Sequence, residues 1–385
     1  MARINPPYQG FEQGPIRPPS EARSLLIRIT RNCPWNRCTF CSIYKQEKFS
    51  IRPVEDVKKD IETVSRHLQR IMELSDSTGA VYRRDLGRLA GDIDQNEIEA
   101  FNAALNWFVC GMKSIFLQDA NSLVIKTDYL VEILSFLKEK FPQVDRITSY
   151  ARSHSLARIS DEDLIRIKEA GLNRIHVGLE TGSDTLLKLI QKGSSKEMHI
   201  VAGQKVKNAG MELSEYIMPG LGGSSLSKEH ALETADALNQ IDPHFIRLRT
   251  LIIPPETQLF NDETEYQFKK STDIQVVEEI RLLIENLNGI TSTFKSDHIA
   301  NLLQMIEGTF PDEKTKMLKI IEDFFALPLE TQIQFQVGRR FGFLLHPDNL
   351  KTEHLKARVE SICQQFLITP ENVDEVIDRT IQRTM

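Results

Sequence analysis

The sequence predicts an α/β chain whose parallel sheet curls into a partial (β/α)6 barrel. Three observations predict it. Short β-type runs alternate with amphipathic helices up to about residue 270. In four of the six runs polar residues share one face. After that point strand signals stop and the chain reads as helices.

The elements follow in order. Residues 1–24 are rich in proline and glycine and read as an irregular N-terminal arm. Strands are expected at Leu25–Thr30, Ser114–Asp119, Ile147–Arg152, Arg174–Thr181, Glu212–Met218 and Phe245–Ile253. An amphipathic helix, such as "TDYLVEILSFLKEKF" or "SDEDLIRIKEAG", separates most of them, and this alternation implies parallel strands with right-handed crossovers. The first crossover is long. It opens with a helix from Pro53 whose stripe is Val54, Val57, Ile61, Val64, Leu68 and Ile71, and continues as an inserted helical hairpin over about 54–112. The barrel is expected over 25–290 and a helical C-terminal module over 291–385, punctuated by Pro311, Pro328, Pro347 and Pro370.

The strand faces predict the curl. A fully buried parallel strand is a near-continuous apolar run. Here Arg174, His176, Gly178 and Glu180 share one face, and Ile175, Val177 and Leu179 the other. Thr148, Tyr150 and Arg152 share a face, as do Glu212, Ser214 and Tyr216, and Arg247 with Arg249. Helices covering the apolar faces leave the polar ones lining a common interior, suited to a charged ligand near the C-terminal strand ends. The alternative is a set of strands with one face in water.

A net charge of -6 argues against a large nucleic-acid footprint. Residues 1–24 hold no apolar run of a signal peptide, and no segment approaches the roughly 18 apolar residues of a membrane span. A cytoplasmic location is expected.

Three of the five cysteines stand in "CPWNRCTFC": Cys33, Cys38 and Cys41. Such a cluster in a reducing compartment points to metal or redox chemistry rather than a disulfide framework. Structural zinc takes four protein ligands, and no histidine lies near this stretch. A disulfide would leave one thiol over. An iron–sulfur cluster held by three thiolates would leave one iron open to a ligand. The remaining cysteines, Cys110 and Cys363, read as buried small apolar residues.

Cys33, Cys38 and Cys41, with Phe40 before the last cysteine, resemble the cluster motif of radical S-adenosylmethionine (SAM) enzymes. The usual motif has three residues between its first two cysteines; this chain has four, Pro34 to Arg37. "GLNRIHVGLETGSDTLLKLIQKG" resembles the fourth strand and following helix of members related to methylthiotransferases, cobalamin-associated enzymes and oxygen-independent coproporphyrinogen oxidase. "YIMPGLGG" resembles their fifth strand and turn. The resemblance covers about residues 20–290. The C-terminal module is similar to radical SAM proteins described only as iron–sulfur oxidoreductases.

The resemblance implies a TIM-like barrel, a 4Fe-4S cluster on Cys33, Cys38 and Cys41, and S-adenosyl-L-methionine on the open iron. It implies reductive cleavage to a 5′-deoxyadenosyl radical, acting on a small-molecule or peptide substrate that the motifs do not name. An electron donor such as flavodoxin or ferredoxin follows from that mechanism. Phe40 stands where members place an aromatic against adenine, or else packs the loop. Asp119, in "FLQDAN", stands where an acid meets the SAM amino group, with Gln118 and Asn121 beside it. Arg152 would pair with the SAM carboxylate or form a salt bridge inside the barrel. Glu180 would bind the ribose hydroxyls or the methionine amino group. The turn Met218–Pro219–Gly220 would let backbone approach the cofactor.

Arg247, Arg249 and Tyr216 are substrate-side candidates, unless the arginines neutralise Glu212 and Glu215. His298, in "SDHIANLL", is expected on a helix, and "GRRFGF" at 338–343 reads as a helix end. Asp297 and His298 are adjacent, which breaks the cobalamin D-x-H-x-x-G spacing. No RNA-binding module follows the barrel, so nucleic acid is not an expected partner. Two alternatives stand beside the enzyme: a non-catalytic relative binding a ligand such as heme, and a zinc-binding structural protein.

Overall fold

A computed structural model describes residues 8–76, 80–264 and 268–382. The chain divides into two compact units: 1–37, 41–177 and 202–213 in the first, and 38–40, 178–201 and 214–385 in the second.

The first unit contains β1 (Leu25–Arg28), β2 (Thr30–Arg31), β3 (Ser50–Ile51), β4 (Ser114–Gln118), β5 (Arg146–Ala151) and most of β6 (Leu172–Glu180). Strands β1, β4, β5 and β6 pair in parallel in that order, with Ile27 opposite Leu117, Phe116 opposite Thr148 and Tyr150 opposite His176. Strands β2 and β3 pair antiparallel and close the base of the loop 32–49, in which the cysteines occur. The expected helix runs Val54–Glu73 and buries Val57, Ile61, Val64, Leu68 and Ile71 as one stripe. Burying side chains of this size contributes about 1.5–3 kcal/mol each, so the stripe alone fixes the helix's orientation. After this helix the insertion holds two further helices, Arg83–Gly91 and Ile98–Val109. Arg83–Gly91 buries no residue fully, although Leu86, Leu89 and Ala90 share one face at helical spacing.

The second unit contains β7 (Glu212–Ile217) from Ser214 onward, β8 (Phe245–Leu248), β9 (Thr293–Lys295) and β10 (Glu307–Thr309). Strands β7, β8 and β9 are parallel, and β10 returns antiparallel to β9. The architecture is the expected α/β one: a mostly parallel sheet with covering helices and a helical C-terminal part.

Strands β9 and β10 correct the expectation that strands stop near residue 270. Each has three residues, too few to show an alternating pattern. The helix expected over "SDHIANLL" is likewise a turn-rich loop. Asn301 explains it. Its Oδ1 accepts from the Thr250 amide and hydroxyl, and its Nδ2 donates to Leu248 carbonyl and Ser296 Oγ. Short polar side chains that bond to backbone in this way compete with helix. "GRRFGF" is a helix end, as expected. Arg339 donates to the carbonyls of Ile299 and Asn301, while Arg340 donates to Ala300 and pairs with Asp273.

Candidate active site

In the first unit, the loop after β2 is organised by Asp119. This residue follows β4, is fully buried, and adopts a left-handed φ of 75°. Its Oδ2 accepts from Arg28 Nε at 2.7 Å and from the Asn32 amide at 3.0 Å, and its Oδ1 from the Tyr44 hydroxyl at 2.9 Å. Burial, then the neighbouring Asp119 charge, pushes the Tyr44 phenol far up, so it stays protonated and donates. A non-glycine residue at positive φ stores strain, and strain of that kind concentrates at functional sites.

Asn36, itself left-handed at φ 50°, donates its amide to Cys33 Sγ at 3.4 Å and its side-chain nitrogen to the Tyr44 carbonyl. An amide aimed at sulfur suits a thiolate ligand, because hydrogen bonds to sulfur tune a cluster. Arg28, Arg31 and Arg52 all pair with Glu12, which ties the N-terminal arm to the base of this loop. Burial is opposed there by three guanidiniums, which together hold the Glu12 carboxyl below its usual range.

The other first-unit candidates have clear positions. Arg152 lies with its guanidinium 5.0 Å from the Trp35 ring centroid, and Arg37 lies 5.1 Å from the same ring. Asn121 accepts from the Arg152 amide at 3.4 Å and donates to Ser155 Oγ at 2.7 Å. Gln118 bonds to the backbone of Gly14 and Ile16 and so holds the arm.

In the second unit, residues 38–40 are clamped by backbone. The Thr39 amide donates to the Ile190 carbonyl at 3.0 Å, and its carbonyl accepts from Leu259 at 3.1 Å. Phe40 packs against the buried cluster Ile190, Leu221, Leu251, Ile253 and Leu259. The Lys192 ammonium stands 5.9 Å from the Phe40 ring centroid and 2.8 Å from Glu180 Oε1.

Glu180 ends β6 at a left-handed φ of 63°, and its carbonyl accepts from the Met218 amide at 3.0 Å. That bond joins the Met218–Pro219–Gly220 turn to the strand end. The turn is further held by Glu279 Oε1, which accepts from the Gly220 amide at 2.8 Å. Gly178 leaves the room that the Glu180 carboxylate occupies: a Cβ there would stand 2.2 Å from Glu180 Oε1, so the carboxylate would have to move.

Sequence reasoning missed Lys192 and the chemistry of Glu215. Glu215 is fully buried, and among the described residues neither of its oxygens has a hydrogen-bond partner. Burial first, then the Glu180 charge, raises its pKa well above the carboxylate range, opposed by Lys192. Its burial favours the protonated form, beside the Glu180–Lys192 salt bridge. No pattern could have marked it, since β7 is buried at every position but Glu212.

Asp297, not Glu212 or Glu215, is the counter-charge of Arg247 and Arg249. Glu212 pairs with Arg174 at 2.7 Å instead. His298 is held down to about 4, by burial first and then by the Arg249 charge. Cys110 and Cys363 are only half-buried, because each sits on the partly wet side of a helix or its end.

None of the cysteines forms a disulfide. Among the described residues, no three His, Cys, Asp or Glu side chains are gathered as a metal-ion site. The donor set at 33, 38 and 41 is nonetheless all soft sulfur, with an amide directed at Cys33 Sγ. That chemistry fits an iron–sulfur cluster.

The sequence model of the Radical SAM superfamily matches residues 27–235, more than half of the chain. The chain belongs to the radical SAM superfamily. The parallel strands and covering helices accord with the partial TIM-like barrel of radical SAM proteins. Among curated proteins, the heme chaperone HemW of Bacillus subtilis is 26% identical over 152 residues, 39% of this chain and 39% of HemW. A tRNA uridine(34) acetyltransferase of Methanocaldococcus infernus is 25% identical over 122 residues, 31% of this chain and 23% of that protein. The chain thus spans well under half the length of these relatives. Among solved structures, coproporphyrinogen III oxidase HemN from Escherichia coli aligns with TM-score 0.43 and 12% identity, over 69% of this chain and 52% of that one. Methylornithine synthase PylB aligns with TM-score 0.42 and 16% identity, over 79% and 82%. These last two are likenesses of fold alone. No helix among the described residues is long and apolar enough to cross a membrane.

Proposed function

We propose that this radical SAM protein is an enzyme that cleaves S-adenosyl-L-methionine reductively and turns the resulting radical on a substrate. Cys33, Cys38 and Cys41 would hold a 4Fe-4S cluster. When bound, that cluster supplies an open iron for SAM and the electron that breaks its carbon–sulfur bond to release a 5′-deoxyadenosyl radical. The observation that carries the reading is Asp119, whose buried carboxylate fixes Asn32 and Tyr44 on either side of Cys33 and Cys41 in the chain.

The remaining residues bind and orient. Phe40 offers a ring face for adenine, backed by an apolar cluster and fixed by the Thr39 backbone bonds. Glu180, set by Lys192, offers a carboxylate for ribose hydroxyls or the methionine amino group. Arg152 offers a guanidinium for the SAM carboxylate, a pairing suited to its bidentate fork. Asp119 is already engaged by three donors, which favours a role in shaping the loop over direct contact with SAM. The electron would come from a flavodoxin or ferredoxin.

The test is anaerobic. The reconstituted, reduced protein is given SAM, and 5′-deoxyadenosine is measured over many turnovers. Its formation, abolished in Cys38→Ala, supports the enzyme. The match to HemW favours one second reading, a non-catalytic heme-binding relative. Stoichiometric heme uptake without deoxyadenosine would favour that reading.

A further inference from the structure

Arg247 and Arg249 alternate on β8 and its extension, and their guanidiniums share one carboxylate. Asp297 Oδ2 takes Arg247 Nη1, and Oδ1 takes Arg249 Nη1 at 2.7 Å. Two positive charges thus meet one negative charge. Arg247 is 5% exposed. Among the described residues, Arg247 Nε and Arg249 Nη2 are buried donors without an acceptor, and Ser214 Oγ is likewise buried without a partner. The Arg249 guanidinium lies 4.7 Å from the Tyr216 ring centroid, within cation–π range. The nearby cation Lys295 is already paired with Glu307.

A buried positive charge in surplus is costly unless something negative meets it. We propose that Arg247 and Arg249 form a subsite for an oxyanion of the substrate, a carboxylate or a phosphate, received by Arg247 Nε and Arg249 Nη2. Both anions suit planar guanidinium donors. Asp297 holds the two arginines apart and in place, and leaves one charge for the ligand. The assignment of the anion to a substrate rests on the radical SAM reading; the anion site itself does not.

The experiment is calorimetric titration of the full chain at constant ionic strength with sodium succinate, inorganic phosphate and uncharged succinamide. The wild type binds one or both anions and not succinamide. Tighter succinate assigns a carboxylate, and tighter phosphate assigns a phosphate; either supports the proposal. Arg249→Gln weakens binding roughly tenfold or more, the scale of a lost charge-assisted bond. Asp297→Asn strengthens it, because the competing carboxylate is gone. A purely structural ion triad predicts that both variants lose stability and neither gains affinity. No binding by wild type, or equal binding by Arg249→Gln, overturns the subsite. Displacement of the anion by SAM overturns its assignment to the substrate. The SAM competition uses the reconstituted protein; the anion titrations need neither cluster nor turnover, so their failure is separate from failure to form deoxyadenosine.

Discussion

The Tyr44 hydroxyl donates to Asp119 Oδ1 at 2.9 Å, and both groups are buried. This single bond ties the far side of the cysteine loop to the end of β4. Tyr44→Phe leaves a buried carboxylate oxygen short of its donor, a loss of about 1–3 kcal/mol. Denaturant midpoints check the stability, and iron retained after reconstitution should fall in the same variant. Unchanged iron binding would mean that Tyr44 does not shape the cluster loop.

Glu215 makes stability fall as pH rises. Its folded pKa lies above the unfolded value of 4.5, so the folded chain keeps a proton that the unfolded chain releases. The contribution is full below 4.5 and is lost as pH climbs toward the folded value. Glu215→Gln removes this dependence, so the variant should gain on wild type with a slope of up to about 1.4 kcal/mol per pH unit. Parallel stability curves from pH 5 to 8 would show that Glu215 holds no proton.

His298 acts at the acid end. Its pKa falls from 6.5 to about 4, by burial and by the charges of Arg249, Arg339 and Arg340, against Asp297. Its contribution is present above 6.5 and lost as pH drops through about 4. His298→Asn should flatten the loss of stability across that window. Thermal melts at pH 7, 5.5 and 4 check this, and identical slopes would contradict it.

Gly178→Ala is a local probe of Glu180. The added Cβ would meet Glu180 Oε1 at 2.2 Å, and the flexible carboxylate would swing away from Lys192. Because a side-chain end can move, the fold should survive with a loss of about 1–3 kcal/mol. SAM affinity should fall by an order of magnitude while iron content holds. Unaltered SAM binding would remove Glu180 from the cofactor site.

Much of the barrel was readable because its signals are periodic. The alternation in β6 placed Ile175, Val177 and Leu179 on a buried face, and the stripe of Val54–Glu73 was visible at helical spacing. Strands β9 and β10 were not readable, since three residues carry no period. The loop at His298 misled because its hydrophobic spacing mimics helix while Asn301 caps backbone elsewhere. The site was readable where chemistry is written in residue type, as with the cysteines. Partners set by tertiary contact were not: Asp297 for the arginines, and Lys192 for Glu180.

The central claim is that Cys33, Cys38 and Cys41 together hold one redox cluster. The most direct measurement is iron and sulfide content after anaerobic reconstitution, for the wild type and for each cysteine changed singly to alanine, with Cys110→Ala as control. The account predicts about four irons and four sulfides per chain in the wild type and in Cys110→Ala, as a cluster of this type contains. Each of the three loop variants should lose most of both. Zinc in place of iron, or a full cluster in any one of the three variants, would contradict it.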